Sequence, residues 1–212
     1  MPIRSLVENT HELKIPQPVR DIAAGLEYRD FLIAGILAKD ILLREKNNEP
    51  ITDNWIYVQD KQVKAGRLQL FHNWSPHLVA DPDDAWIGAE YFCNETDDLW
   101  KADDSEIKNM VIKEMEAIGI LKREQVKDMI IIRVKKAYPS YYGAYKNFDV
   151  IKEYVDTIPN LFLIGRNGMH RYNNSDHSML TAMTAVENII AGRTDKTNIW
   201  EINTEEEYHE EK

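Results

Sequence analysis

The chain has 212 residues, a length that suits one domain or two small ones. It is 43% hydrophobic and 29% charged, close to an average globular protein, and it is long enough to bury a substantial core without staples. The net charge of -10 repels phosphate backbones, and Lys135-Lys136 is too short a basic run to make a nucleic-acid face, so no nucleic-acid partner is expected.

The opening MPIRSLVENTHELKIPQP holds charges and no apolar core of the kind a secretion signal needs. No apolar run reaches about 18 residues, so no membrane span is expected either. The single cysteine, Cys93, forms no internal disulfide and fits a reducing compartment and a buried strand position. The expectation is a soluble, cytoplasmic protein.

In chain order, IRSLVENT reads as a short amphipathic helix, broken by Pro16 and Pro18. VRDIAAGLEYRD reads as a second, with Val19, Ile22, Ala23 and Leu26 on one face. FLIAGILAKDILL (31–43) fits a strand or a helix by its apolar run. The strand-like segments after it favour a strand, ending in a turn at 46–50. WIYV (55–58), LQLFHNW (68–74) and AWIGAEYFC (85–93) are aromatic and β-branched, as strands are, with the turn DPDD before the last.

Ser105 is a candidate cap for a helix carrying Ile107, Val111, Met115 and Ile118 and stopping at Gly119. MIIIRVKKAYP (129–139) reads as a strand, and 148–155 as a short helix. NLFLIG (160–165) reads as a buried strand ending in glycine, and 179–191 as the last helix, with Gly192 at its end. Acidic residues 205–211 form a tail.

Residues 159–192 carry the most information: an apolar strand, a glycine loop, then a helix. The loop crowds Arg166, Asn167, His170, Arg171, Tyr172, Asn173, Asn174, Asp176 and His177 before a helix N-terminus. Free N–H groups and the positive dipole end suit an anionic or electron-rich ligand. Arg166 either steadies negative charge or forms a structural ion pair. Ser175 and Asp176 either touch a ligand or cap the helix. His170 with His177, and His72 with His77, lack a carboxylate or cysteine at ligand spacing, so no metal is expected. Trp74 and the tyrosines at 138, 141, 142 and 145 are either walls of a substrate cleft or core packing. No Ser-His-Asp order or nucleophile elbow is present.

The run Gly165-Arg166, Arg171-Tyr172 and Asp176, with its helix, resembles the C-terminal flavin-binding motif of the FAD-dependent amine-oxidase, protoporphyrinogen-oxidase and UDP-galactopyranose-mutase superfamily. In that superfamily the last strand ends in Gly plus a polar residue, and the next helix points its N-terminus at the flavin pyrimidine ring. The mutase signature reads Gly-Arg, a few residues, then Tyr-Arg-Tyr; here His170 stands at the first Tyr. MPIRSLV, LEYRDFLIAGILAKD, GRLQLFHNWSPHLVADPDDAWIGAEYFC and KAYPSYYGAYK extend the resemblance from residue 1 to about 192.

The resemblance implies an α+β fold: an antiparallel substrate-domain sheet with flanking helices, plus an incomplete FAD-binding α/β portion. Residues 1–20 and 151–195 would belong to the FAD domain, 21–150 to the substrate domain, and 196–212 to an acidic tail. FAD is the implied cofactor, contacted by Gly165, Arg166, Asn174, Ser175, Asp176 and His177. A small-molecule substrate would meet Arg171, Tyr172, Trp74 and Tyr142. No residue is singled out as catalytic.

The superfamily's Gly-x-Gly-x-x-Gly is nowhere in the sequence; Gly25, Gly35, Gly66 and Gly88 are isolated. The expected function is therefore the C-terminal part of a flavin oxidoreductase that lacks the dinucleotide half. The alternatives are a mutase-like sugar isomerase and a non-catalytic module. A partner chain carrying the FAD domain, or a homodimer, would cover apolar surface left on the terminal segments.

Overall fold

The computed structural model describes residues 1–202, so the acidic run at 205–211 lies outside the described residues. The chain packs as two units: residues 30–135, and residues 1–29 together with those from Lys136 onward. Residues 21–29 and 136–150 thus group with the terminal segments, although the ends of two sheet strands fall among them.

The terminal unit starts with α1 (Ile3–Asn9) and α2 (Gln17–Gly25). Pro18 sits in the first turn of α2, where its missing N–H leaves no helical bond unmade, so this proline begins a helix instead of breaking one. β1 (Tyr28–Ala38) then leads into the second unit, which holds β2 (Trp55–Tyr57), β3 (Arg67–Leu70), α3 (Phe71–Trp74), β4 (Ala85–Cys93), α4 (Asp98–Lys101) and α5 (Asp104–Ala117). β5 (Val126–Pro139) returns the chain to the terminal unit, where α6 (Phe148–Asp156), α7 (Gly165–Met169), α8 (Ser175–Ile190) and α9 (Thr197–Trp200) follow.

The five strands lie in the order β2-β3-β4-β1-β5. β2–β3, β3–β4 and β4–β1 pair antiparallel. Lys39 N–H donates to Gln125 O near one end of β1, and Ser140 N–H to Glu27 O near the other, so β5 also runs antiparallel to β1. One sheet face is apolar at alternate positions: Leu32, Ala34 and Ile36 of β1 and Ile87, Ala89 and Tyr91 of β4 are buried. α5 covers this face with Ile107, Val111 and Met115. Its Glu114 is buried but satisfied, accepting from the Tyr91 hydroxyl at 2.9 Å and from the N–H groups of Lys64 and Ala65 at 2.9 and 3.3 Å.

Four local expectations change. Phe71–Trp74 is a helical turn, not a continuation of β3, so the strand ends at Leu70. α5 is capped at Asp103, two residues before Ser105. Residues 161–164 join no sheet ladder among the described residues, although Ile164 keeps a β backbone. Residues 197–200 form α9, with Ile199 and Trp200 buried, instead of starting a tail. No helix among the described residues is long and apolar enough to cross a membrane.

Candidate functional site

The site is built on the loop between residue 164 and α8. Gly165 has φ +67°, a conformation that disfavours any side chain, and its N–H donates to Thr181 Oγ1 at 3.0 Å. This ties the loop start to α8 and turns the chain into the single-turn α7. α7 ends at His170, whose φ of +46° ends the turn with a non-glycine residue.

Among the described residues Arg166 forms no salt bridge. Its guanidinium lies 5.1 Å from the Tyr138 ring centroid and 5.0 Å from that of Tyr172, and its Nε donates to Asn173 O at 2.9 Å. A planar cation stacked on two rings fixes Tyr172, whose hydroxyl donates to Asn174 Oδ1 at 3.1 Å. The Asn174 side chain in turn accepts the N–H of His177, and the His177 side chain accepts that of Asn174, forming a capping box.

His177 Nδ1 accepts that N–H at 3.3 Å, so it carries no proton there, and the 3.5 Å approach of the exposed Asp176 carboxylate is not an ion pair in this arrangement. His177 is therefore a capping residue. Ser175 and Asp176 are exposed and do not supply the cap; their N–H groups form the open first turn of α8.

Among the described residues, two buried acceptors at this loop have no partner, Asn167 Oδ1 and Asn173 Oδ1. The Asn167 amide nitrogen donates to Lys136 O, and that of Asn173 to the carbonyls of Arg171 and Tyr172.

The edge of a pyrimidine-type ring carries an N–H between two carbonyls. The open α8 turn offers donors to such carbonyls, so the residues present fit the ring end of FAD. They do not fit its pyrophosphate. A Cβ at Gly25 would meet Ala144 at 2.8 Å and one at Gly88 would meet Phe71 at 2.9 Å, so these glycines serve side-chain packing. The sequence grouped Arg166 with Tyr172 in this loop, and the structure adds Tyr138 to them.

His170 is fully buried. Its Nε2 lies 2.9 Å from Ser140 O and therefore carries the proton, which leaves Nδ1 to accept from the Tyr28 hydroxyl at 3.2 Å. Tyr28, Tyr145 and Phe148 surround the ring at centroid distances of 4.9 to 5.9 Å. Burial pushes its pKa down. The residue at the mutase tyrosine position is thus a core histidine.

Arg171 and Tyr172 open onto a cleft of about 430 Å³ with Tyr141, Tyr145, Phe148, Lys152 and Trp200. Burial raises the Tyr141 pKa, so its phenol stays protonated at neutral pH. Tyr142 does not line this cleft and is exposed.

Trp74 belongs to the second unit, at the end of α3. Its Nε1 donates to Gln69 Oε1 at 3.3 Å and its ring lies 5.5 Å from that of Trp55. Beneath it the buried Glu90 accepts from Gln69 at 2.9 Å and pairs with Arg67 at 2.6 Å. The alternation in GRLQLF, polar at 67 and 69, was the available signal for this cluster.

The sequence matches no family model and no curated protein. Solved structures do match. A reduced UDP-galactopyranose mutase aligns with a TM-score of 0.75 at 20% identity, over 95% of this chain and 43% of that one. A protein assigned as a protoporphyrinogen oxidase from Exiguobacterium sp. 255-15 aligns with a TM-score of 0.58 at 14% identity, over 88% of this chain and 40% of that one. The fold is shared with these two structures. The chain spans less than half the length of either structure. At these identities the likeness is one of fold, so the chemistry has to be argued from the residues.

Proposed function

We propose that this chain is the flavin-ring-facing and substrate-facing part of a FAD-dependent oxidoreductase. The open first turn of α8, held by Gly165 and by the Asn174–His177 box, carries the reading. In this reading the N–H groups of Ser175 and Asp176 receive the carbonyls of the flavin ring. Arg166 holds Tyr172 and the loop in place. FAD, when bound, supplies a two-electron acceptor for substrate oxidation. The chain's own residues bind and orient.

The dinucleotide-binding half comes from outside the described residues. α8 supports this, because its polarity is inverted. Thr181, Ala185 and Asn188 face inward, with Asn188 bonded to Asn198, while Met179, Met183, Val186 and Ile190 form an exposed apolar stripe at spacings of four and three. The remaining length of the related structures, more than half of each, is a source of cover. We assign the stripe to that half.

The test is flavin fluorescence titration. If the chain supplies only the ring end, riboflavin, FMN and FAD are quenched with affinities within about threefold of one another, and ADP does not compete. No quenching by any flavin up to about 1 mM, or FAD-selective binding displaced by ADP, overturns the reading.

The higher TM-score with the mutase favours nucleotide-sugar isomerisation as the second reading. It requires activity on a UDP-sugar only after reduction of the flavin.

A further inference from the structure

We infer that the cleft in the terminal unit is a binding site for a small flat ring bearing a carboxylate or phosphate, separate from the flavin-ring site. The whole chain carries a net charge of -10, yet two cations, Arg171 and Lys152, border this cleft against one carboxylate, Asp149. Neither cation has a carboxylate partner among the described residues. Arg171 spends one N–H on Trp200 O at 2.6 Å, and the Lys152 ammonium stands 5.3 Å over the Trp200 ring. A guanidinium and an ammonium on one cleft, neither in an ion pair among the described residues, are poised for an anion, since charge-assisted bonds to carboxylate or phosphate outweigh neutral ones.

The walls are rings that cannot easily move. Phe148 packs on the buried His170 at 5.9 Å and meets Trp200 edge-on at 6.3 Å. Trp200 is anchored by its Nε1 bond to Asp156 Oδ1 at 3.2 Å. Tyr145 lies 5.6 Å from Phe148. Preformed aromatic walls with convergent polar groups, in a volume of about 430 Å³, suit a small-molecule site. The rings select a flat body, and the two cations select its charge.

Nothing in this assignment needs flavin, so its failure and that of the flavin reading are separate results. The full chain, without flavin, is titrated by calorimetry with benzoate and adenosine monophosphate, and with their neutral analogues benzamide and adenosine. At least one anion should saturate a single site, with its neutral analogue at least about tenfold weaker. Benzoate as tight as the nucleotide marks the natural ligand as a small carboxylate; nucleotide alone marks it as a phosphate. Lys152→Gln should weaken the anion about fivefold or more and leave the neutral analogue unchanged, while Asp149→Asn should tighten the anion. Equal binding of anion and neutral analogue, or no saturation by either anion below about 10 mM, overturns the assignment. The wild-type comparison decides alone if a variant fails to fold.

Discussion

The hydroxyl of Tyr28 stands 3.2 Å from Nδ1 of His170, although 142 residues separate them in the chain. The contact joins the start of β1 to the end of α7, and it defines which imidazole nitrogen is bare. His170 is thereby a neutral, fully buried core residue.

That burial has a pH signature. The folded pKa of His170 lies below its ordinary value near 6.5, so between the two values the unfolded chain binds the proton and the folded chain does not. Its effect is nil above about pH 7.5 and grows as pH falls through 6.5. The folded state should lose stability there with a slope of up to about 1.4 kcal/mol per pH unit. Urea unfolding at pH 7.5 and 5.5 checks this. His170→Gln should be less stable at pH 7.5 yet lose this part of the acid dependence.

Arg166 acts through stacking and one bond to Asn173 O. Arg166→Met should destabilise the chain by about 1–3 kcal/mol, and Arg166→Lys should recover little of it, because an ammonium neither stacks nor places the Nε donor. Chemical denaturation of the three proteins measures the difference. If lysine restores full stability, the planar stack is not what matters.

Lys196 is buried with its ammonium on the carbonyls of Val155 and Ile158, at 2.7 and 2.8 Å. It thereby serves the exposed backbone end of α6, where a cation is favoured. Lys196→Met keeps the stem and removes two charge-assisted bonds, leaving Val155 O and Ile158 O only the N–H groups of Ile158 and Leu161. The expected loss is about 2–3 kcal/mol in urea unfolding, against under about 0.5 kcal/mol for the exposed Lys146→Met.

The α8 stripe predicts self-association when the chain is produced without the half proposed to cover it. Sedimentation should show oligomers for the wild type. Met183→Glu with Ile190→Lys should shift the population to monomer while the unfolding midpoint stays put, since both side chains are exposed. A wild-type chain that stays monomeric at about 100 µM counts against the assigned cover.

Local chemistry was enough to read much of this protein. Apolar, aromatic and β-branched runs marked β1, β4 and β5, and Gly165 with the polar run after it marked a loop before a helix, because composition and backbone freedom are properties of neighbours in the chain. The family resemblance was legible for the same reason: its motif is contiguous. What the chain order could not reveal was the sorting of that motif. Arg166 stacks between Tyr138 and Tyr172, His177 caps, and His170 retires into the core against Tyr28, while Arg171 turns to a cleft that Lys152 and Trp200 complete. Apart from the local His177–Asn174 cap, these outcomes depend on partners such as Tyr138, Tyr28, Lys152 and Trp200, which lie some twenty residues or more away. The direction of a side chain follows from which distant surface excludes water around it, and only the packed tertiary structure decides that.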